Sequence, residues 1–258
     1  MRTSALRPTR SGAAYHVGLG EDRLPKSFLL PGDPARAKKI ANSWDSYEIL
    51  AESREFTSYR GTYQGTHIGV TSTGIGGPAL SIVVEELAMK GVRTMVRVGS
   101  CGSVLKGVRV GDIVISKAAA RFDGASRTYA PPEYPASADP LVFCALVEAA
   151  EKAGVRYHTG ITASFDSFYA GQARPGFKGF LPPGSKSWLS NLQRLNIKNV
   201  EMEAATLFTI ANIYDIAAGA VCAVFANRVT NEFGEEGERE AILVANEAIK
   251  SLAQRARV

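Results

Sequence analysis

A glycine, a helix start and an arginine come together in Leu29-Leu30-Pro31-Gly32-Asp33-Pro34-Ala35-Arg36. The run reads as a buried strand, a tight turn and a helix N-terminus. Gly32 lets a backbone N–H approach a ligand closely, and the helix N-terminus favours an anion. Arg36, one turn into that helix, could reach the same anion. A Gly-Asp-Pro turn is also an ordinary structural turn. A second candidate follows the predicted strand Met95-Val96-Arg97-Val98, where Gly99-Ser100-Cys101-Gly102 is expected to turn sharply and offer N–H groups and a hydroxyl. Arg97 is a charge inside an apolar strand. It must either pair with a buried carboxylate or serve a ligand. No Gly-Lys-Ser/Thr is present, and Gly74-Ile75-Gly76-Gly77 lacks the dinucleotide spacing, so a nucleotide cofactor is not expected.

Glu201-Met202-Glu203 enters a predicted helix. If both acids are still extended they point to one side, with the Met202 backbone between them. Two carboxylates on one side suit a cis-diol or a metal, and with no His, Asp or Cys nearby the metal reading is weak. Acidic charge at a helix N-terminus accounts for them equally well. Phe168-Tyr169-Ala170-Gly171-Gln172-Ala173-Arg174 reads as a loop after a strand. Gln172 offers a donor and an acceptor together, matching a uracil N3–H and its adjacent carbonyl. Arg174 can bond the other carbonyl and Phe168 can pack on a flat ring. Alone, the heptamer is an ordinary polar loop; beside the anion and diol candidates it becomes a base pocket.

These side chains need a scaffold, and the pattern supplies one. Short β-branched runs alternate with helical periodicity, the mark of a mixed or mostly parallel sheet covered by helices. Strands are predicted at 27–30, 67–73, 94–98, 112–116, 159–164 and 220–226, and helices at 79–90, 140–152, 203–214 and 238–254. Two long loops are predicted, the proline-rich 127–138 and the Gly/Pro/Lys-rich 175–187. With no repeat and no Ser/Gly linker, the expectation is one α/β domain over residues 15–258, preceded by a flexible basic extension, 1–14.

The chain of 258 residues carries a net charge of +5 without any dense Lys/Arg block, so nucleic acid is not the expected partner. Cys101, Cys144 and Cys222 form neither a metal spacing nor a disulfide framework, which fits a reducing cytoplasm. The longest apolar run, 216–226, is too short for a bilayer. Arg2, Arg7 and Arg10 have no apolar stretch behind them, so no signal peptide is expected.

Taken in order, the motifs resemble those of the uridine phosphorylase branch of the nucleoside phosphorylases, which shares its fold with bacterial hexameric purine nucleoside phosphorylases. The resemblance runs over about residues 15–250. It is carried by His16-Val17-Gly18-Leu19, Pro31 to Arg36, Ser53-Arg54-Glu55-Phe56-Thr57, Ser72 to Pro78 and Glu85-Glu86-Leu87-Ala88. Arg97-Val98-Gly99-Ser100, Val110-Gly111-Asp112, Arg121 to Ser126, Phe168…Gln172…Arg174, Glu201-Met202-Glu203 and Asn227-Arg228 complete it. The resemblance implies a three-layer α/β/α fold with a central mixed sheet, and phosphorolysis of uridine to uracil and ribose 1-phosphate. Gly32, Arg36, Arg97 and Ser100 are then the phosphate site, with Arg54 from a neighbouring subunit. Glu201, Met202 and Glu203 hold the ribose, with the neighbour's His16 at the 5′-hydroxyl. Gln172 and Arg174 read uracil, and Phe168, Cys101, Phe225 and Arg228 line the base pocket. Arg97, Glu203 and Arg174 are the residues expected to carry catalysis. The implied assembly is a cytoplasmic homohexamer built from dimers. Phosphate is a co-substrate, and no cofactor, metal or membrane is involved.

Departures from the pattern qualify this. Cys101 replaces a common Thr and reads as a pocket-wall residue, since no His base adjoins it. Ala79 replaces a Ser that helps bind a monovalent cation in bacterial relatives, and of that site Glu55 remains. Asn227 stands where purine enzymes of this fold carry an Asp that protonates N7. The alternatives are a purine nucleoside phosphorylase, a nucleosidase that uses water, and a non-catalytic nucleoside-binding protein.

Overall fold

The computed structural model describes residues 4–10, 12–20 and 24–255. Arg2 lies outside them. A two-stranded hairpin, β1 (Thr9–Arg10) with β2 (Ala13–Ala14), comes first. The body then runs β3 (Ser27–Leu30), α1 (Pro34–Asn42), β4 (Ser46–Ser53), β5 (Phe56–Tyr63), β6 (Thr66–Thr71), α2 (Gly77–Met89), β7 (Thr94–Ser103) and β8 (Ile113–Phe122). It continues through α3 (Ala125–Tyr129), α4 (Pro140–Lys152), β9 (Tyr157–Phe165), α5 (Ser185–Arg194) and β10 (Ile197–Glu201). The chain closes with α6 (Ala204–Ile213), β11 (Ala217–Asn227), β12 (Glu232–Phe233) and α7 (Glu238–Arg255).

Local chemistry sets the helix starts. Asp33 caps α1 by accepting from the Ala35 N–H, with Pro34 as the first helical residue. Asp139 caps α4 in the same way through Leu141 and Val142. Val142, Ala145, Leu146 and Ala149 then recur on the buried face of α4.

Ten strands form one mixed sheet in the order β12-β11-β8-β9-β10-β7-β3-β6-β5-β4, and β11 also pairs with β7. That extra pairing closes β7, β11, β8, β9 and β10 into a ring, from which β3, β6, β5 and β4 extend. Neighbouring residues of β3 and β7 point to opposite faces, and both faces are buried. Leu29, Val96 and Val98 pack with α1, α4 and α7. Phe28, Leu30 and Met95 pack with α2 and α6. This is the three-layer α/β/α arrangement expected above.

One expectation is corrected. Gly99–Gly102 is not a sharp turn, because β7 continues to Ser103. Its neighbour β11 keeps it extended, with Gly99 opposite Cys222 and Ser100 opposite Ala223. On its other side, β3 ends level with Arg97 and β10 begins level with Gly102. The edge of β7 between these two partners is left open, and the candidate site residues gather there. The predicted loop 175–187 also ends in α5, which starts at Ser185, and the loop 127–138 begins inside α3.

Candidate active site

A cleft of about 1140 Å³ lies at the carboxyl ends of β3, β7, β10 and β11, where α/β sheets commonly bind ligands. It brings together Gly32, Arg36, Arg97 and Ser100 with Glu201, Met202 and Glu203. Cys101, Phe168, Gln172, Arg174, Phe225 and Arg228 line it too, as does Glu55. Strand β7 serves as a ruler along it. Arg36 donates to the Val98 carbonyl (3.2 Å), whereas Arg174 and Arg228 pack beside Gly102. Four residues of strand separate these points, roughly 13 Å.

At the Val98 end, Gly32, Asp33 and Pro34 bring the N-terminus of α1 into the cleft. The Gly32 and Arg36 N–H groups find no acceptor among the described residues, and the Ser100 hydroxyl has no partner there either. Free amides at a helix start, two arginines and a hydroxyl are groups that can hold an anion.

In the middle, Arg97 is paired with both acids at once. Its Nε donates to Glu201 Oε2 (2.8 Å) and its Nη2 to Glu203 Oε2 (2.5 Å). Glu201 also accepts from the Glu203 and Ala204 N–H groups (2.8 and 2.9 Å) and from the Ser164 hydroxyl. Glu203 has fewer donors: besides Arg97, the Gly76 N–H (2.5 Å). Gly76 presents that N–H at φ 91°, ψ 161°, backbone that a side chain would disfavour. One guanidinium therefore serves two buried carboxylates. Burial raises the pKa of Glu203 although Arg97 pulls it down. Burial alone would lower the pKa of Arg97, but Glu203 and Glu201 hold it above its ordinary value. Both directions follow from a site with one acid in excess. Arg97 is thus buried and paired and also lines the cleft, and no described acceptor engages its Nη1, which is open to a ligand.

At the Gly102 end, buried Gln172 accepts from Arg174 Nη1 (2.5 Å), which also donates to the Phe168 carbonyl (3.0 Å). The Arg174 guanidinium lies 3.8 Å over the Phe168 ring, so one face of that ring is taken by a cation. Arg228 holds the loop from behind, donating to the Gln172 and Ala173 carbonyls (2.7 and 3.3 Å). Burial, then the Arg228 charge, pushes the Arg174 guanidinium down to about 10, still a cation at neutral pH. Burial, then the Cys222 hydrogen bond, pushes the Cys101 thiol well up, which disfavours the thiolate that a nucleophile would need.

Two expected residues stand outside this cleft. His16 is held by Glu86, with Nδ1 at 2.8 Å from Oε1, and its Nε2 has no hydrogen-bond partner among the described residues. Arg54 sits at the β4–β5 turn with φ 56°, its guanidinium 5.9 Å over the Tyr15 ring.

Several contributors had no role assigned from the sequence, although Gly76 and Arg121 to Ser126 lie within motifs that carry the resemblance. Gly76 and Ser164 orient the two acids. Arg121 donates to the carbonyls of Ser126, Ala130, Pro131 and Tyr134, and Asp123 accepts from Thr206 one turn into α6. The Arg121–Ser126 motif thus braces the helix that begins beside Glu203. The motif lies at and beyond the end of β8, past the predicted strand 112–116, and was visible only as one of the motifs that carry the resemblance.

The chain matches the family model described as the phosphorylase superfamily over residues 27–257. It belongs to that family. Among curated relatives, the uridine phosphorylase of Thermococcus kodakarensis is 53% identical over 252 residues, covering 97% of this chain and 91% of that one. The Escherichia coli uridine phosphorylase is 41% identical over 246 residues, covering 92% and 97%. A guanosine phosphorylase of Halorubrum lacusprofundi is 35% identical over 226 residues, covering 87% and 88%. Relatives named for a pyrimidine nucleoside and for a purine nucleoside thus both match most of this chain.

Proposed function

We propose that this protein is a uridine phosphorylase, cleaving uridine with inorganic phosphate to uracil and ribose 1-phosphate. One observation carries the reading: a single cleft joins an anion site, a pair of buried carboxylates and a Gln/Arg pair along one strand edge. Phosphate at Gly32, Arg36, Arg97 and Ser100 lies beneath C1′ as a nucleophile needing little activation. The C1′–N1 bond breaks with its electron pair leaving on uracil, and a phosphate oxygen bonds C1′. The dianion stabilises the oxocarbenium character of the ribose while Glu201 and Glu203 grip its hydroxyls. Charge growing on the uracil carbonyls is met by Arg174 and Gln172 more strongly than in the ground state.

Asn227 favours a pyrimidine over a purine. Its amide donates to the Leu105 and Val108 carbonyls (3.2 and 2.8 Å) and accepts from the Val229 and Thr230 N–H groups (2.8 and 3.0 Å). It has no proton to give a purine N7. Supplying uridine and inosine separately at saturating phosphate tests this, with uridine expected to be cleaved far faster. Preference for inosine would overturn the pyrimidine assignment.

His16 and Arg54, outside their own cleft, are read as serving a neighbour's site in a dimer, within a cytoplasmic homohexamer engaged in pyrimidine salvage. No organic cofactor enters this scheme. Glu55, where a monovalent cation would sit, packs against Gly74 beside the Ala79 methyl, a poorer setting than a hydroxyl would give. The described residues include no helix long and apolar enough to cross a membrane.

A further inference from the structure

Of the arginines at the anion end, Arg97 is fixed by Glu201 and Glu203. The restraint on Arg36 comes from a different part of the chain. Arg36 Nε donates to Glu238 Oε1 at 2.7 Å, and Lys39 Nζ donates to Glu238 Oε2 at 2.5 Å. Glu238 is the first residue of α7, far in sequence from α1, and belongs to none of the motifs that carry the family resemblance. The Arg36 side chain is 8% exposed and that of Glu238 18%, whereas Lys39 is 58% exposed. The Arg36–Glu238 contact is therefore shielded and the Lys39 contact is largely solvated. Arg36 is also tied to the Val98 carbonyl through Nη1 and lies 5.7 Å from the centre of the Phe225 ring.

We infer that Glu238 is a positioning residue for phosphate: it locks the Nε edge of Arg36 so that the remaining guanidinium N–H groups face the anion. An unrestrained arginine loses several rotatable bonds of freedom on gripping an anion, and a pinned one has lost them already. Charge supports the same role. One carboxylate is shared by two cations, so the trio keeps a net positive charge toward a dianion. Burial opposes the charge on Glu238, but the hydrogen bonds from Lys39 and Arg36 hold its pKa below the ordinary value, and the carboxylate persists at neutral pH. The arrangement parallels the one around Arg97, where carboxylates hold two guanidinium nitrogens and leave the third to the ligand.

The inference rests on the phosphorolytic reading, and its test separates the two. Glu238→Gln keeps an acceptor near Arg36 but removes the charge. It is expected to raise the KM for phosphate on the order of tenfold, with the KM for uridine little changed and a smaller rise in melting temperature on adding phosphate. Glu238→Asp, which keeps the charge on a shorter arm, should fall between wild type and Glu238→Gln, and carries the test if the latter folds poorly. Lys39→Ala leaves the Arg36–Glu238 contact and should shift the phosphate KM less than about twofold. A merely structural role would lower the melting temperature and total activity in Glu238→Gln and leave the two KM values in their wild-type ratio. That outcome, in an enzyme whose wild-type rate depends on phosphate, overturns the positioning role alone. A wild-type rate that ignores phosphate overturns the phosphorolytic reading along with it.

Discussion

A single methyl group placed at Gly99 should disable the anion site without replacing any ligand-binding side chain. A Cβ there would stand 2.7 Å from Arg97 Nη2, 2.8 Å from its Cζ and 2.9 Å from Cys222 Sγ. Ordinary contacts between such atoms are near 3.5 Å or more, so the guanidinium must retreat by roughly 1 Å. Its Nη2 is the atom that bonds Glu203, so the retreat disturbs the phosphate and ribose contacts together. A misplacement of this size is worth about 10²-fold in rate, and overpacking of the β7–β11 layer costs about 1–3 kcal/mol. Gly99→Ala should therefore lose about 10²-fold in kcat/KM for phosphate, measured by uracil release under varied phosphate. Adding Cys222→Ala makes room on one side only. The double variant should regain stability in thermal melts but not activity, because the clash with Arg97 persists. Near-wild-type kinetics in Gly99→Ala would show that the position of Arg97 does not govern the chemistry.

The raised pKa of Glu203 predicts an acid limb in uridine binding. Protonation removes the acceptor, and the raised value moves that loss above the ordinary carboxylate value of 4.5. The KM for uridine should climb as pH falls toward that value, and the climb should vanish in Glu203→Gln. Asn227→Asp turns two donors into acceptors facing the Leu105 and Val108 carbonyls. It should destabilise the fold by about 1–3 kcal/mol in chemical denaturation and confer no inosine cleavage. Arg54→Ala and Glu203→Ala, each inactive, should complement when co-expressed, returning about a quarter of wild-type activity through mixed dimers with one intact site; no recovery in verified mixed dimers would contradict the shared site.

Much of the fold was legible because both faces of its central strands are buried. Ser27–Leu30 and Pro140–Lys152 have the predicted bounds, the first set by a closed apolar run, the second by Asp-Pro capping and a helical stripe. The hairpin β4–β5 was not read, because β4 is an edge strand with mostly exposed residues and no clean alternation. Helix α5 buries only Leu192 and gave little periodicity. The turn expected at Gly99–Gly102 failed for a tertiary reason: Gly99 admits the Arg97 guanidinium and the Cys222 sulfur rather than bending the chain. The residues lining the cleft were visible as motifs. Of the groups that orient them, Gly76 lay within the Ser72–Pro78 motif with no role assigned to it, whereas Ser164 and Glu238 were not visible, since each acts through a contact distant in sequence.

The central claim is that phosphate is the nucleophile. The most direct test is to incubate the purified protein with uridine in rigorously phosphate-free buffer, then with phosphate, following uracil by absorbance and the sugar product by phosphorus NMR. Uracil should appear only with phosphate, matched mole for mole by ribose 1-phosphate. Equal uracil release in both buffers, with free ribose as the product, would contradict the account.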